Sequence, residues 1–182
     1  MPIYTDVKPI TYYPGPEKVA RKIFEGIEFT SILDVGAGHG GVFDLERWDR
    51  DPKVVRKEAC DIFWIRAMPP DWVTRLEVDV TELDKHYQAN SFDFVQCCEV
   101  LEHVQDTRKA LEQLVRVAKK AVFITSADEM HHLGDEQEAI EKINKNQAYV
   151  GQPKVKDLEE LGFEVRVTDD AYRQLVAWLI KK

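Results

Sequence analysis

The chain has 182 residues, a hydrophobic fraction of 44% and a formal net charge of −8. That length suits one domain around one core, and the composition, with four Trp, is that of a globular chain rather than a disordered one. No apolar run approaches the ~20 residues of a membrane-spanning helix, and Met1 to Asp6 lack the basic and apolar regions of a secretory signal, so a cytoplasmic location is the default expectation. The acidic balance argues against broad nucleic-acid binding, which needs Lys and Arg to release counterions. Cys60, Cys97 and Cys98 are odd in number and two are adjacent, so they give neither a disulfide framework nor zinc spacing.

In chain order, Pro14-Gly15-Pro16 marks a turn. After it Val19, Ala20, Ile23, Phe24 and Ile27 recur at helical spacing. Ile32 to Val35 reads as a buried strand running into glycines, with a helix expected over Val42 to Trp48. A second strand is expected from about Val54 to Ile62, although Arg56-Lys57-Glu58 is polar for a central position. Pro69-Pro70 breaks the chain before a third strand, Thr74 to Val78. Phe92 to Cys97 is a fourth, bounded by Asn90-Ser91. Ala110, Leu111, Leu114, Val115 and Ala118 form one helical stripe, with Asp106 or Thr107 as cap and Lys119-Lys120 suited to the C-terminal dipole. Ala121 to Thr125 is a fifth strand.

The mixed-charge stretch Glu136 to Asn146 reads as a polar helix, and Val155 to Leu161 as a short one ending at Gly162. Phe163, Val165 and Val167 alternate as a sixth strand. Gln174 to Ile180 returns as a seventh, antiparallel to the sixth if the two are neighbours, because the connection is too short for a parallel crossover. Strands alternating with helices predict an α/β domain with a mostly parallel sheet covered on both faces.

The chemical signal is the turn Asp34-Val35-Gly36-Ala37-Gly38-His39-Gly40. Gly36 and Gly38 let the backbone turn sharply and approach a ligand with no Cβ between. Taken alone the turn is ambiguous, because Gly36, Gly38 and Gly41 also satisfy the G-x-G-x-x-G spacing of a nicotinamide dehydrogenase. The second signal is Phe92-Asp93-Phe94-Val95-Gln96-Cys97-Cys98-Glu99-Val100-Leu101-Glu102-His103-Val104. It begins 58 residues after Asp34, which leaves room for two β-α units.

Together the acid-first glycine turn and the E-x-x-E-H-V segment resemble the class I S-adenosylmethionine-dependent methyltransferases, over about Ile32 to Ile180. The resemblance implies a Rossmann-like, doubly wound, seven-stranded mostly parallel sheet with an antiparallel last strand, in a single domain. Residues 31–182 would form the S-adenosylmethionine-binding domain. Residues 1–30, including Tyr12 and Tyr13, would form an N-terminal segment and helix covering the cofactor.

The resemblance further implies a set of cofactor contacts. Asp34, Gly36, Ala37, Gly38 and Gly40 would hold the methionine portion, with Cys97 at the end of the fourth strand. Asp61 would bind both ribose hydroxyls and Ile62 would pack on the adenine. Asp79 would accept from the adenine amino group, with Val80 giving a backbone contact. Glu58 and Glu77 suit these roles less, since each precedes its strand end. The implied reaction is direct methyl transfer from the sulfonium, in which the protein mainly positions, desolvates and, where needed, deprotonates the acceptor.

Candidates for a general base are Glu99, His103, His131 and His132. If the turn after the fourth strand is helical, Glu99, Glu102 and His103 share a face and could hold a divalent cation with His132, as in some relatives with this pattern. A non-helical turn would separate them, and the expectation here is that transfer needs no divalent cation. A small-molecule acceptor is expected, since the chain carries no large insertion. Two other classes stay open: an NAD-dependent oxidoreductase using the same glycine turn, for which the chain lacks room for a substrate domain, and a cofactor-binding module without transferase activity.

Overall fold

The computed structural model describes residues 9–10, 16–37, 51–62, 73–127, 151–168 and 174–182. Within them one sheet runs through the molecule. Its strands are β1 (Pro9–Ile10), β2 (Ser31–Val35), β3 (Arg56–Asp61), β4 (Thr74–Glu77), β5 (Phe92–Cys98), β6 (Ala118–Ala127), β7 (Glu164–Thr168) and β8 (Gln174–Ile180), in the order β1-β7-β8-β6-β5-β2-β3-β4. β8 pairs antiparallel with both β6 and β7, while the other pairings are parallel. The seven expected strands are therefore present with the expected antiparallel last one. The two-residue β1, which pairs with β7 at the sheet edge, had no counterpart in the sequence reading.

Alternation along the strands splits the core in two. On one face Leu33, Val35, Val95, Cys97, Val122 and Ile124 pack with Leu111 and Leu114 of helix α2 (Thr107–Val117) and Leu158 of helix α3 (Val155–Glu160). On the other, Ile32, Ala59, Phe94 and Phe123 pack with Val19 and Ala20 of helix α1 (Pro16–Ile23) and with Phe24 just beyond it. The second face is built on aromatic rings. Phe24 meets Phe94 edge-on at 5.2 Å and Phe29 stacks on Phe94 at 4.9 Å, geometries worth ~0.5–1.5 kcal/mol each beyond the buried area.

Two local outcomes differ from the sequence reading. α2 stops at Val117, because Ala118 takes an extended conformation (φ −75°, ψ 138°) while its N–H still bonds Leu114. The chain thus enters β6 with no intervening loop, and Lys119-Lys120 belong to the strand rather than to a helix terminus. Lys120 instead reaches Asp93 Oδ2 at 3.2 Å and donates to the Glu28 carbonyl at 2.7 Å. The polar start of β3 is accommodated because Arg56 lies over the Phe92 ring at 4.0 Å and donates to Glu58 and to the Ser91 carbonyl.

Asp93, in the same motif as the E-x-x-E-H-V segment, works at the amino end of the sheet. Its Oδ2 accepts from both the N–H and the hydroxyl of Thr30, each at 2.8 Å. These bonds and Lys120 hold its carboxyl below the usual range despite burial. The expected helices over Val42 to Trp48 and Glu136 to Asn146 lie outside the described residues, as do Tyr12 and Tyr13.

Candidate functional site

The chain leaves β2 for β3 on one side and later returns as β5 on the other, so strand order reverses between β2 and β5. Open α/β sheets bind ligands beyond the carboxyl ends of their strands at such a reversal. The residues flanking it are Asp34 to Ala37 from β2 and Cys98 to Val100 from β5.

Gly36 makes the turn out of β2 at φ +70°. Its N–H and that of Ala37 both donate to the Cys60 carbonyl, at 2.8 and 3.1 Å. A Cβ on Gly36 would lie 2.2 Å from a Val100 methyl. Backbone angle and neighbour therefore both demand glycine, and the glycine turn packs directly on the loop that follows β5.

Asp34 is almost completely buried, and its Oδ2 has no hydrogen-bond partner among the described residues. It pairs across the ladder with Gln96 of β5, whose side chain bonds it. Burial pushes its carboxyl up to about 8, the Gln96 bond lowers it, and nearby Asp61 raises it further. The carboxyl end of β2 thus holds a buried carboxyl oxygen without a partner among the described residues.

Asp61 is the last residue of β3, and Ile62 beyond it leaves 54% of its surface exposed. Asp79 is exposed and caps the 3-10 turn Val80–Lys85, its Oδ1 accepting from the Thr81 N–H and hydroxyl at 2.8 Å. One of its oxygens is therefore committed within the chain, and Val80 beside it is buried. Cys97 is wholly buried in the core under the sheet, and its thiol is pushed up by that burial. Contact between Cys97 and a ligand would have to come from its backbone.

Glu99 follows β5 in the left-handed region at φ +55°, which costs a non-glycine residue ~1–2 kcal/mol. Strain of this kind gathers at functional sites. Its N–H donates to the Thr125 carbonyl at 3.0 Å and its Oε1 accepts from the Thr125 hydroxyl at 2.7 Å.

The following turn, Leu101–His103, is 3-10 rather than α-helical. Glu102 is therefore buried against β6, accepting from the Ser126 hydroxyl at 3.0 Å and the Ala127 N–H at 3.3 Å, whereas His103 is exposed. Desolvation raises the Glu102 carboxyl. The helical face expected for Glu99, Glu102 and His103 is not formed: the Glu99 and Glu102 side chains still meet in a hydrogen bond, while His103 lies exposed. Gly38, Gly40, His131 and His132 lie outside the described residues.

Several participants were not assigned from the sequence. Gln96 was visible as a polar residue interrupting an apolar strand, and Val100 carried no signal. The return segment also packs here. The Gly151 N–H donates to the Glu102 carbonyl at 3.1 Å and Gln152 Nε2 to the Ala127 carbonyl at 3.1 Å. A Cβ on Gly151 would lie 2.0 Å from the Val104 carbonyl oxygen. Residues 151–152 are thus fastened against both the E-x-x-E-H-V turn and the end of β6.

Comparison with known proteins agrees with this architecture. The fold is that of the Haloferax volcanii chain crystallised with the Trm112 methyltransferase activator (18% identity, TM-score 0.64, 91% of this chain and 88% of that one). It is also that of a Thermotoga maritima S-adenosylmethionine-dependent methyltransferase described as a possible histamine N-methyltransferase (21%, 0.63, 92% and 88%). A third is magnesium protoporphyrin IX methyltransferase from Synechocystis, with bound S-adenosylhomocysteine (15%, 0.58, 90% and 80%). No curated protein sequence matches the chain. Residues 33–125, from the end of β2 through β6, match the family model for the methyltransferase domain, and this chain therefore belongs to the methyltransferase domain family.

Proposed function

We propose that the chain is an S-adenosylmethionine-dependent methyltransferase that acts on a small-molecule acceptor. The observation that carries the reading is Asp34: a buried carboxyl with an unpartnered oxygen, beside a turn that admits no Cβ at Gly36, at the reversal point of the sheet. The amino acid portion of S-adenosylmethionine offers an ammonium donor that suits such an oxygen. Asp61, at the end of the neighbouring strand, would accept from the ribose hydroxyls, and the open side chain of Ile62 would lie on the adenine. Asp79 would use the oxygen not occupied by its cap, with Val80 adding a backbone contact. Gly36 and Ala37 would line the methionine path, continued by Gly38 and Gly40, and Cys97 would contribute its backbone. Residues 1–30 would close over the cofactor, and residues 31–182 would form the binding domain.

The cofactor supplies an electrophilic methyl group; the protein's part is alignment and exclusion of water. On the acceptor side Glu99, held in place by Thr125, is the described candidate for orienting or deprotonating the acceptor, with His103, His131 and His132 as alternatives. Transfer is proposed to need no divalent cation, because Glu102 is engaged by Ser126, Ala127 and Glu99 while His103 is exposed. The acidic chain, and two fold neighbours described as a possible histamine N-methyltransferase and magnesium protoporphyrin IX methyltransferase, support a small acceptor over nucleic acid. Isothermal titration with S-adenosylhomocysteine and with NAD tests the assignment. Binding of the first and not the second is expected, and binding of NAD alone would overturn it in favour of an oxidoreductase.

A further inference from the structure

Asp34 lies on the α1 face of the sheet, in line with Ile32. Toward the amino ends that face is filled by Phe24, Phe29, Phe94 and Phe123; toward the carboxyl ends it turns polar, at Asp34, Gln96 and Thr125. The groups that surround Asp34 can be followed element by element. From β3 come Cys60 and Asp61; from β5 come Gln96, Cys97 and Cys98. None of these is a cation, and Asp61 is a second acid. On α1, which covers the same face, Arg21 lies with Phe24, Asp51 and Lys53 around a cavity of about 380 Å³ next to Val54, before β3 begins, and so at the other end of the sheet.

A carboxylate without a counter-charge is costly in such a place. Removing an ionised group from water costs several kcal/mol unless it is paired, and a group so placed takes up a proton instead. Gln96 offers a neutral bond, and Oδ2 has none among the described residues. We propose that Asp34 is a neutral acid in the cofactor-free protein and loses its proton when the ammonium of the cofactor arrives, so that cofactor binding and proton release are one event. The inference rests on the cofactor assignment above. The balance is simple: the carboxylic O–H breaks, the proton passes to solvent, and the carboxylate left behind accepts the ammonium's hydrogen bond. One positive charge enters the pocket and one leaves it. The position near 8 of the buried carboxyl agrees with this order.

The linkage has a direction. While the free protein must lose a proton to bind, affinity rises with pH, at most tenfold per unit, and levels off once Asp34 is ionised in the free state. The test is calorimetric titration of the full chain with S-adenosylhomocysteine at pH 7 in buffers of different ionisation enthalpy, repeated between pH 6 and 9. The expected result is release of most of one proton per ligand at pH 7, a rise in affinity of roughly 20-fold from pH 6 to 7.5, and a levelling off above about 8. Asp34→Asn should remove both the release and the slope. Infrared difference spectra of the wild type should show a protonated carboxyl band disappearing on ligand addition, a readout that does not depend on the variant folding. Tight binding with no proton released and no band lost would overturn the inference while leaving the cofactor assignment standing. Failure of S-adenosylhomocysteine to bind the wild type at any pH would overturn both.

Discussion

Gly36→Ala is the sharpest perturbation the structure offers, because two independent effects can be separated by a second substitution. Gly36 sits at φ +70°, and an added Cβ would fall 2.2 Å from one Val100 methyl and 2.9 Å from the other. The backbone term is ~1–2 kcal/mol for an L-residue in this region. The overlap cannot be relieved without moving Val100, and overpacking of this kind costs ~1–3 kcal/mol. The single variant should therefore lose roughly 2–5 kcal/mol in urea denaturation. Val100→Ala alone removes two half-buried methyls and should lose about 1–2 kcal/mol. The double variant keeps the backbone term and removes the overlap, so its loss should fall short of the sum by ~1–3 kcal/mol. Additive losses would show that Val100 does not limit the space at Gly36. A Gly36→Ala protein as stable as the wild type would refute the left-handed turn itself.

Asp61→Ala should weaken S-adenosylhomocysteine binding by ~1.5–3 kcal/mol, about 10- to 100-fold, through loss of charge-assisted hydrogen bonds; unchanged affinity in titration would remove Asp61 from the site. Asp34→Asn should stabilise the ligand-free protein. The folded carboxyl is raised from 3.8 to about 8, so its favourable contribution is present below 3.8 and is lost as pH rises through 8. The gain should therefore grow between pH 5 and 8.5 by more than ~1 kcal/mol, read as an increasing difference in melting temperature, and a constant difference would contradict it. Asp93→Asn has the opposite sign. The folded carboxyl is lowered, so its contribution is present above 3.8 and lost as pH falls through the folded value. The variant should lose ~1–3 kcal/mol at pH 7, for bonds to Thr30 and Lys120, and this loss should vanish in strong acid. Dialysis against a chelator should leave S-adenosylhomocysteine affinity and the methyl-transfer rate unchanged; stoichiometric metal, lost together with activity on Glu102→Ala, would reverse that expectation.

The sheet was legible in the sequence because its signals are local. Apolar runs such as Ile32 to Val35 and Phe92 to Cys97 have only one comfortable environment, and the short link between Val167 and Gln174 allows only antiparallel pairing between neighbours. Asp34 before Gly36, with Glu99 and Glu102 65 and 68 residues after Asp34, was equally legible, since the family pattern lies in residue type and spacing. Only the tertiary structure decided what those residues do to one another. Whether Lys119-Lys120 end a helix or begin a strand depends on the pairing of β5 with β6, a long-range contact that outweighs the local preference. Whether Glu102 and His103 share a face depends on a 3-10 turn and on Ser126, 24 residues away. That Gly36 must be glycine was expected from the motif; that Val100 is the reason arises because β2 and β5 lie side by side. The state of Asp34 depends on which groups burial leaves around it. Burial and the absence of a cation among the described residues are properties of the assembled sheet that no single segment contains.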